Sequence, residues 1–333
     1  MRVSVLGAGA FGTALAIVLA DKGHDTSLWA RRREHTDSIE SARENTRYLP
    51  GARLPDTLHA THDLGAALEG AGLVVFVIPS QATRAVLREA RPLLGEDALI
   101  CCASKGIETG SLMLLSEVMV DELGAEAQAR LTYLSGPSFA KELAAHVPTA
   151  VTVAGTSAAA TEAVQRSFAS DDLRVYATDD VVGVEVGGAL KNVIAIASGA
   201  LDGLGYGMNC RAALITRGLA EIGRVAAKKG GNPLTLAGLA GVGDLVLTCT
   251  GSLSRNRTVG VELGRGRTLR EILDALGQVA EGVETTRSAH ALGKQLGVAM
   301  PITEEVYKVL FEDKPAAHAV ADLMGRPLKR EQA

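Results

Sequence analysis

The sequence predicts an α/β protein: a doubly wound, parallel-sheet domain over residues 1–180 and an all-helical domain over residues 181–333. Three observations predict it. In the first half, short and nearly continuous apolar runs alternate with amphipathic stretches, the pattern of strands covered on both faces by helices. Past residue 178 the runs give way to long stretches of helical character. No Ser/Pro-rich spacer separates the halves, so the boundary falls at or beside the long apolar segment that begins at Val181.

Taken in order, strands are expected at 3–6, 26–29, 73–78, 98–103, 131–134 and 150–153, with helices at 12–22, 81–94 and 112–123 between them. Asp179 and Asp180 are N-cap candidates for an Ala/Gly-rich helix over 181–201. Further helices are expected at 211–229, 269–278, 285–296, 302–312 and 316–324, punctuated by Gly230-Gly231-Asn232-Pro233 and Met300-Pro301. No repeat of fixed period and no low-complexity segment is visible.

The 333 residues are 47% hydrophobic, 22% charged and 3% aromatic, which excludes a disordered or collagen-like chain. Thirty-four Lys+Arg against 38 Asp+Glu leave a formal charge of -4, so no global basic field invites nucleic acid. Cys101, Cys102, Cys210 and Cys249 suit neither a disulfide framework nor zinc, and His59 and His62 lack a third ligand. A cytoplasmic protein without a metal is expected. Arg2 and the apolar stretch to Ala20 resemble a secretory signal, but Gly7, Gly9 and Gly12 interrupt it at a spacing with its own explanation. Charges or Gly/Pro break every other apolar stretch, so no integral membrane segment is expected.

That explanation is Gly7-Ala8-Gly9-Ala10-Phe11-Gly12, placed between the first strand and the first helix. In a Rossmann-type unit, Gly7 permits the tight turn, Gly9 lets the backbone approach a pyrophosphate, and Gly12 lets helix and strand pack closely. The helix N-terminus offers free N–H groups and a partial positive charge to phosphates. The second strand ends near Ala30, where an NAD-only site would place an acidic residue for the ribose 2′-OH. Arg31-Arg32-Arg33 stands there instead, and guanidinium forks suit a 2′-phosphate. NADP(H) is therefore expected to bind, and to be preferred over NAD(H). Against this stand a merely solvated basic helix start and Glu34 as an acidic alternative.

Ligands of an open parallel sheet sit beyond the carboxyl ends of its strands. Pro79-Ser80-Gln81, Ser104-Lys105-Gly106 and Ser135-Gly136-Pro137-Ser138 follow three such ends. Lys105 is a cation in a cramped backbone; Ser138 can cap the next helix, meet a ligand, or both. In the helical half, Lys191 lies in an otherwise apolar helix and must face a cleft or a partner, because an unpaired buried ammonium is costly. Burial and a neighbouring cation would bring its pKa into a range useful for proton transfer. Asp244 sits in a glycine-flanked turn that could orient a lysine. Ser254-Arg255-Asn256-Arg257 combines a hydroxyl, forked cations and an amide, which suits a phosphate.

Together these residues resemble the bacterial-type NAD(P)-dependent glycerol-3-phosphate dehydrogenases. The resemblance runs from the first strand to about Met324 and is densest at 7–14, 104–106, 135–140, 188–192, 213–218, 239–244 and 253–257. It implies a helical domain like the C-terminal domain of 6-phosphogluconate dehydrogenase. It also implies reversible reduction of dihydroxyacetone phosphate to sn-glycerol 3-phosphate for glycerophospholipid synthesis, by a homodimer. By the same resemblance Lys191 is the proton donor and acceptor. Lys105, Gly136, Ser138, Lys191, Asp244, Ser254, Arg255 and Asn256 then contact substrate. Gly7, Gly9, Ala10, Phe11, Gly12, Arg31, Arg32, Lys105, Ala140, Arg255, Val279 and Glu281 line the cofactor site. The family usually carries Ser-Trp where this chain has Ala10-Phe11; Phe11 can still stack, but only a backbone contact remains at position 10. Two other readings stand beside this one: a related two-domain 2-keto acid reductase, which would need a carboxylate clamp, and an NADP(H)-sensing protein without turnover.

Overall fold

The computed structural model describes residues 1–276, 280–328 and 330–331. Its first half contains strands β1 (Arg2–Leu6), β2 (Asp25–Trp29), β3 (Leu58–Thr61), β4 (Leu73–Phe76), β5 (Leu99–Cys102), β6 (Leu131–Ser135), β7 (Thr149–Ala154) and β8 (Leu173–Thr178). They form one sheet in the order β3-β2-β1-β4-β5-β6-β7-β8. The first six strands are parallel to one another, β7 runs antiparallel to β6, and β8 is parallel to β7. The strand order reverses between β1 and β4, and at such a switch point an open sheet leaves a ligand crevice.

The sheet departs from expectation in two ways. β7 is not parallel to β6, because the chain turns back through a five-residue helix instead of returning over a full crossover. β3 and β8 lie at the two edges and lack continuous apolar runs. In β8, Leu173 and Val175 are buried while Arg174 and Tyr176 point outward. A search for doubly covered strands passes over such an alternating edge.

Helices α1 (Ala10–Asp21), α2 (Arg33–Ala42), α3 (Leu64–Leu68), α4 (Ser80–Ala90), α5 (Leu115–Leu123), α6 (Ala140–Ala144) and α7 (Ala158–Phe168) accompany the sheet. One core contains Val5, Leu15, Leu19, Leu28, Val153 and Phe168; the opposite core contains Leu6, Phe76, Leu87, Ile100, Met119 and Tyr133. α2 was not expected: it buries only Thr36 and Ile39, too few anchors to leave a periodic signal.

The second half contains α8 (Val181–Gly203), α9 (Met208–Lys228), α10 (Asp244–Thr250), α11 (Arg255–Gly264), α12 (Leu269–Leu276), α13 (Glu281–Leu296), α14 (Pro301–Phe311) and α15 (Ala316–Met324). α10 and α11 are helices where the sequence suggested only turns. Asp180 starts α8 as its N-cap, accepting from Gly183 N at 2.9 Å. α8 runs through the helical core, and 78% of its apolar window is buried. It is the one helix among the described residues long and apolar enough to cross a membrane, and its burial marks it as a core helix. Gly199 and Gly203 on α8 face Gly260 and Gly264 on α11, and a side chain at any of the four would strike partner backbone. The two helices therefore cross almost backbone to backbone, which fixes α8 against the element carrying residues 255–257.

Candidate active site

The glycine loop behaves as its spacing demands. Gly7 has φ +121°, a conformation that favours glycine, and a Cβ there would strike the Val77 carbonyl. A Cβ at Gly12 would strike the Gly7 carbonyl, so α1 packs directly on the turn. Gly9 is different: a Cβ there meets nothing within 4 Å. That open cradle sits over the N-terminus of α1, where Gly9 is the N-cap and no side chain caps the first-turn amides. An anionic pyrophosphate fits this combination of space and free N–H groups. Two residues that sequence reasoning missed hold the loop. Asn45 Nδ2 donates to Ala8 O at 3.0 Å and to Thr13 Oγ1 at 2.8 Å, and a His35 ring nitrogen lies 3.2 Å from Ala8 O. Neither had a local signal, because each acts across the fold.

Arg31 and Arg32 are exposed just past β2, whose Trp29 O accepts from Gly7 N at 2.9 Å. Arg32 is the N-cap of α2, so this stretch is both a basic helix start and a neighbour of the glycine loop. Arg33 turns aside to His62, its Nε 3.1 Å from the ring Nε2.

The parallel strands bring the other strand ends to the same edge. After β5, Ser104 Oγ accepts from Ile78 N at 2.8 Å and tethers the loop to the end of β4. Lys105 then leaves this loop toward the helical half. Its Nζ donates to Asp244 Oδ2 at 2.9 Å and lies 5.9 Å from the centre of the Phe11 ring. Lys191 Nζ donates to the other oxygen, Asp244 Oδ1. One carboxylate thus bridges two ammonium groups, and Lys191 and Asp244 are 7% and 1% exposed.

Asp244 is not in a turn. A π-type segment, Leu239–Gly243, delivers it as the first residue of α10. There Thr248, four residues on, donates to the Asp244 carbonyl at 2.6 Å and lies 3.3 Å from Oδ1. Thr248 was also missed; its i, i+4 spacing would have been informative had the segment been read as helix.

The cluster's electrostatics oppose one another. Burial pushes the Lys191 ammonium down, the Asp244 carboxylate pulls it up and Lys105 pushes it down again, to about 8. Burial acts to raise the Asp244 carboxyl, but the two ammonium groups outweigh it and hold it below the usual carboxylate range. The result is an ammonium that gives up its proton only slightly above neutrality, beside a carboxylate that stays ionised.

The remaining predicted residues divide into two groups. Gly136 follows β6 at φ +138°, and Val151 fills the space a Cβ would need. Ser138 does not cap α6: Phe139 is the N-cap, Ala140 opens the helix, and Ser138 Oγ donates to Gly136 O at 3.0 Å. The helix starts one residue later than a cap at Ser138 requires. Ser254 is the N-cap of α11, accepting from Arg257 N at 3.3 Å, with Arg255 exposed at the first helical position. Arg257 turns inward to Asp202, with Nε–Oδ2 2.8 Å. Asn256 Oδ1 accepts from Gly282 N at 3.0 Å and thereby joins α11 to α13. Glu281, the first residue of α13, has its carboxyl raised by burial, while Arg255, Lys105 and Lys191 pull it back. That coupling puts Glu281 within the field of all three cations. Val279 lies outside the described residues.

The chain is similar over nearly its whole length to proteins of one kind. Residues 2–161 match the family described as NAD-dependent glycerol-3-phosphate dehydrogenase N-terminus, and residues 180–321 match its C-terminus. A Geobacter sp. (strain M21) protein named glycerol-3-phosphate dehydrogenase [NAD(P)+] is 52% identical, over 99% of this chain and 98% of that protein. A relative of the same name from Leptospira biflexa is 51% identical over 99% of each chain. The crystal structure of glycerol-3-phosphate dehydrogenase from Coxiella burnetii superposes with a TM-score of 0.94 at 44% identity, covering 98% of this chain and 99% of that one. With both halves matched over nearly the whole length, the chain belongs to the NAD-dependent glycerol-3-phosphate dehydrogenase family.

Proposed function

We propose that this protein reversibly reduces dihydroxyacetone phosphate to sn-glycerol 3-phosphate with NAD(P)H, and that Lys191 moves the proton. Residues 1–180 form the dinucleotide-binding domain and residues 181–333 the helical substrate domain in this reading. The observation that carries it is the continuous link from Phe11 of the glycine loop, through Lys105, to the Asp244–Lys191 pair. A sensor that only binds nucleotide needs no such proton-bearing pair.

When bound, the reduced dinucleotide supplies a hydride to the substrate's C2. Gly7, Gly9, Gly12 and the backbone at Ala10 would hold it, with Phe11, Arg31, Arg32, Ala140, Arg255 and Glu281 around it. The chain's own chemical contribution is the proton. The Lys191 ammonium donates to the C2 carbonyl oxygen as that oxygen becomes a hydroxyl; in oxidation, neutral Lys191 takes the hydroxyl proton back. Asp244 aims Lys191, and Lys105 adds the charge that weakens its hold on the proton. The N-terminus of α11 receives the phosphate through its first N–H groups, Arg255 and the Asn256 amide, whose Oδ1 is already occupied by Gly282. Gly136 and Ser138 close the substrate side. A fixed phosphate holds C2 in place, the kind of positioning that bound substrates gain from remote contacts.

We further infer a cytoplasmic homodimer that feeds glycerophospholipid synthesis. The family resemblance supports the dimer; the apolar flank of α9 (Leu214, Ile215, Leu219) packs against the chain's own helical core. Following NADPH absorbance with dihydroxyacetone phosphate, and separately with a 2-keto acid, tests the reaction. Turnover with the phosphate ester is expected, with competition by phosphonate analogues. Turnover with the keto acid alone would overturn the assignment.

A further inference from the structure

Behind the Lys105 loop, a narrow chamber of about 10 Å³ lies between the carboxyl ends of β5 and β6 and the first turns of α8. That is close to the space one water requires. Ser135 and Glu185 both line it, and Ser135 Oγ and Glu185 Oε2 are shut off from solvent without a hydrogen-bond partner. Buried polar atoms left in this way are uncommon and ask for a ligand. The other Glu185 oxygen is occupied: Oε1 accepts from Ser116 N in the first turn of α5 at 3.0 Å. One helical turn past Glu185 is Gly188, where a Cβ would lie 2.8 Å from Ser135 Oγ and 3.7 Å from Lys105 Cδ. One turn further is Lys191. Gly188 is thus a surface neighbour of both Glu185 and Lys191 along α8, and Lys105 passes over the helix at this glycine to reach Asp244.

We propose that Glu185, in its neutral acid form, and Ser135 share one buried water in this chamber, and that this unit is a positioning device that leaves the Lys105 ammonium to Asp244. The inference rests on the reaction proposed above. A neutral carboxyl can donate to the water, which can in turn serve Ser135. Glu185 and Lys105 line the same chamber, so an ionised Glu185 would instead place a second carboxylate along the path of the Lys105 side chain, in competition with Asp244. Burial pushes the Glu185 carboxyl up to about 7, so the acid form prevails on the acidic side of neutrality. The titratable and charged groups facing it are Glu117 on α5, Lys229 after α9, Tyr133 on β6, Cys102 on β5 and Lys105. Glu117 favours the acid form and Lys229 opposes it.

Two measurements test this. Infrared difference spectroscopy of wild type against Glu185→Gln, without substrate, reads the carbonyl stretch of a protonated carboxyl. A band that titrates near 7 is expected, and a wild type without it overturns the proposal whatever the reaction proves to be. The pH profile of the reduction reads the positioning. In wild type the alkaline fall should follow Glu185 near 7; in Glu185→Gln it should move to about 8, where Lys191 titrates. Glu185 also caps α5, so Ser135→Ala is the second variant. It removes a group with no other hydrogen bond, and it should lower kcat about tenfold with the dinucleotide KM unmoved. Superimposable pH profiles for wild type and Glu185→Gln, or wild-type kcat in Ser135→Ala, overturn the proposal.

Discussion

The glycine loop after β1 and the lysine–aspartate cluster against α8, which the proposed reaction joins in one site, are built in opposite ways. The loop comes from six consecutive residues, and backbone sterics make it: one glycine for a positive φ, one for open space, one for close packing. The cluster draws Lys105, Lys191 and Asp244 from three distant segments and holds them by charge. The loop costs little to preform, whereas the cluster buries charged groups that lose hydration. A contiguous, steric device should fail by losing shape. A dispersed, electrostatic device should fail by losing chemistry, sometimes while gaining stability.

The strongest way to break the comparison is Lys191→Met. We expect kcat to fall by about 10³-fold, within the range such proton-transfer groups contribute, with dinucleotide affinity retained. The folded-state pKa of Lys191, about 8, lies below the usual lysine value of 10.5. The folded state therefore carries an ionisation penalty below pH 8 that is relieved as pH rises toward 10.5. Asp244 keeps Lys105 as a partner, so calorimetry should show a Tm no lower than wild type. A large loss of stability with modest loss of turnover would make Lys191 a structural residue.

Asp244→Asn attacks the same cluster from its anionic side and should do the reverse. Two ammonium groups would lose their shared carboxylate, and breaking a buried pair in this way costs roughly 3–5 kcal/mol. Denaturant titration should show that loss, and kcat should fall with it.

On the loop, Gly7→Ala and Gly9→Ala should part company. Gly7→Ala meets the Val77 carbonyl and a positive φ, and should cost about 1–3 kcal/mol of stability. Gly9→Ala has room, so its unfolding free energy should stay within about 0.5 kcal/mol of wild type. Its dinucleotide affinity should nevertheless drop, because the methyl fills the cradle. Equal effects on stability would contradict a ligand-facing Gly9.

pH sharpens the comparison further. In Glu185→Gln the reduction needs the Lys191 ammonium and should decline as pH rises through about 8, while oxidation needs the neutral amine and should increase over the same interval. Steady-state rates in both directions would check the opposed signs. The smallest effect belongs to the exposed arginines. Arg31→Ala or Arg32→Ala should weaken NADPH about tenfold, the value of roughly one charge-assisted hydrogen bond, and leave NADH and Tm unchanged. An unchanged NADPH preference in both variants would remove these arginines from the cofactor site.

Local chemistry accounts for what was legible without coordinates. Each strand of the sheet's middle carries its own apolar run, and Gly7, Gly9 and Gly12 are neighbours whose spacing alone states a conformation. α8 could be read too, because one lysine among apolar residues must find a partner. The partner's position was less legible. Asp244 looked like a turn residue, since three glycines and a π-type segment hide the start of α10. Edge strands β3 and β8 were lost because an edge needs only alternate apolar residues.

By itself, then, the sequence determined the α/β character, the dinucleotide turn and the need of Lys191 for a counter-charge, because each follows from bonded neighbours or from a residue's own hydration. Only the tertiary structure decided that Lys105 and Lys191 share one carboxylate, that Thr248 and Asn45 brace the site, and that Ser138 leaves the cap to Phe139. Distances between residues far apart in the chain are set by how helices and sheet pack, and no local pattern of side chains encodes them.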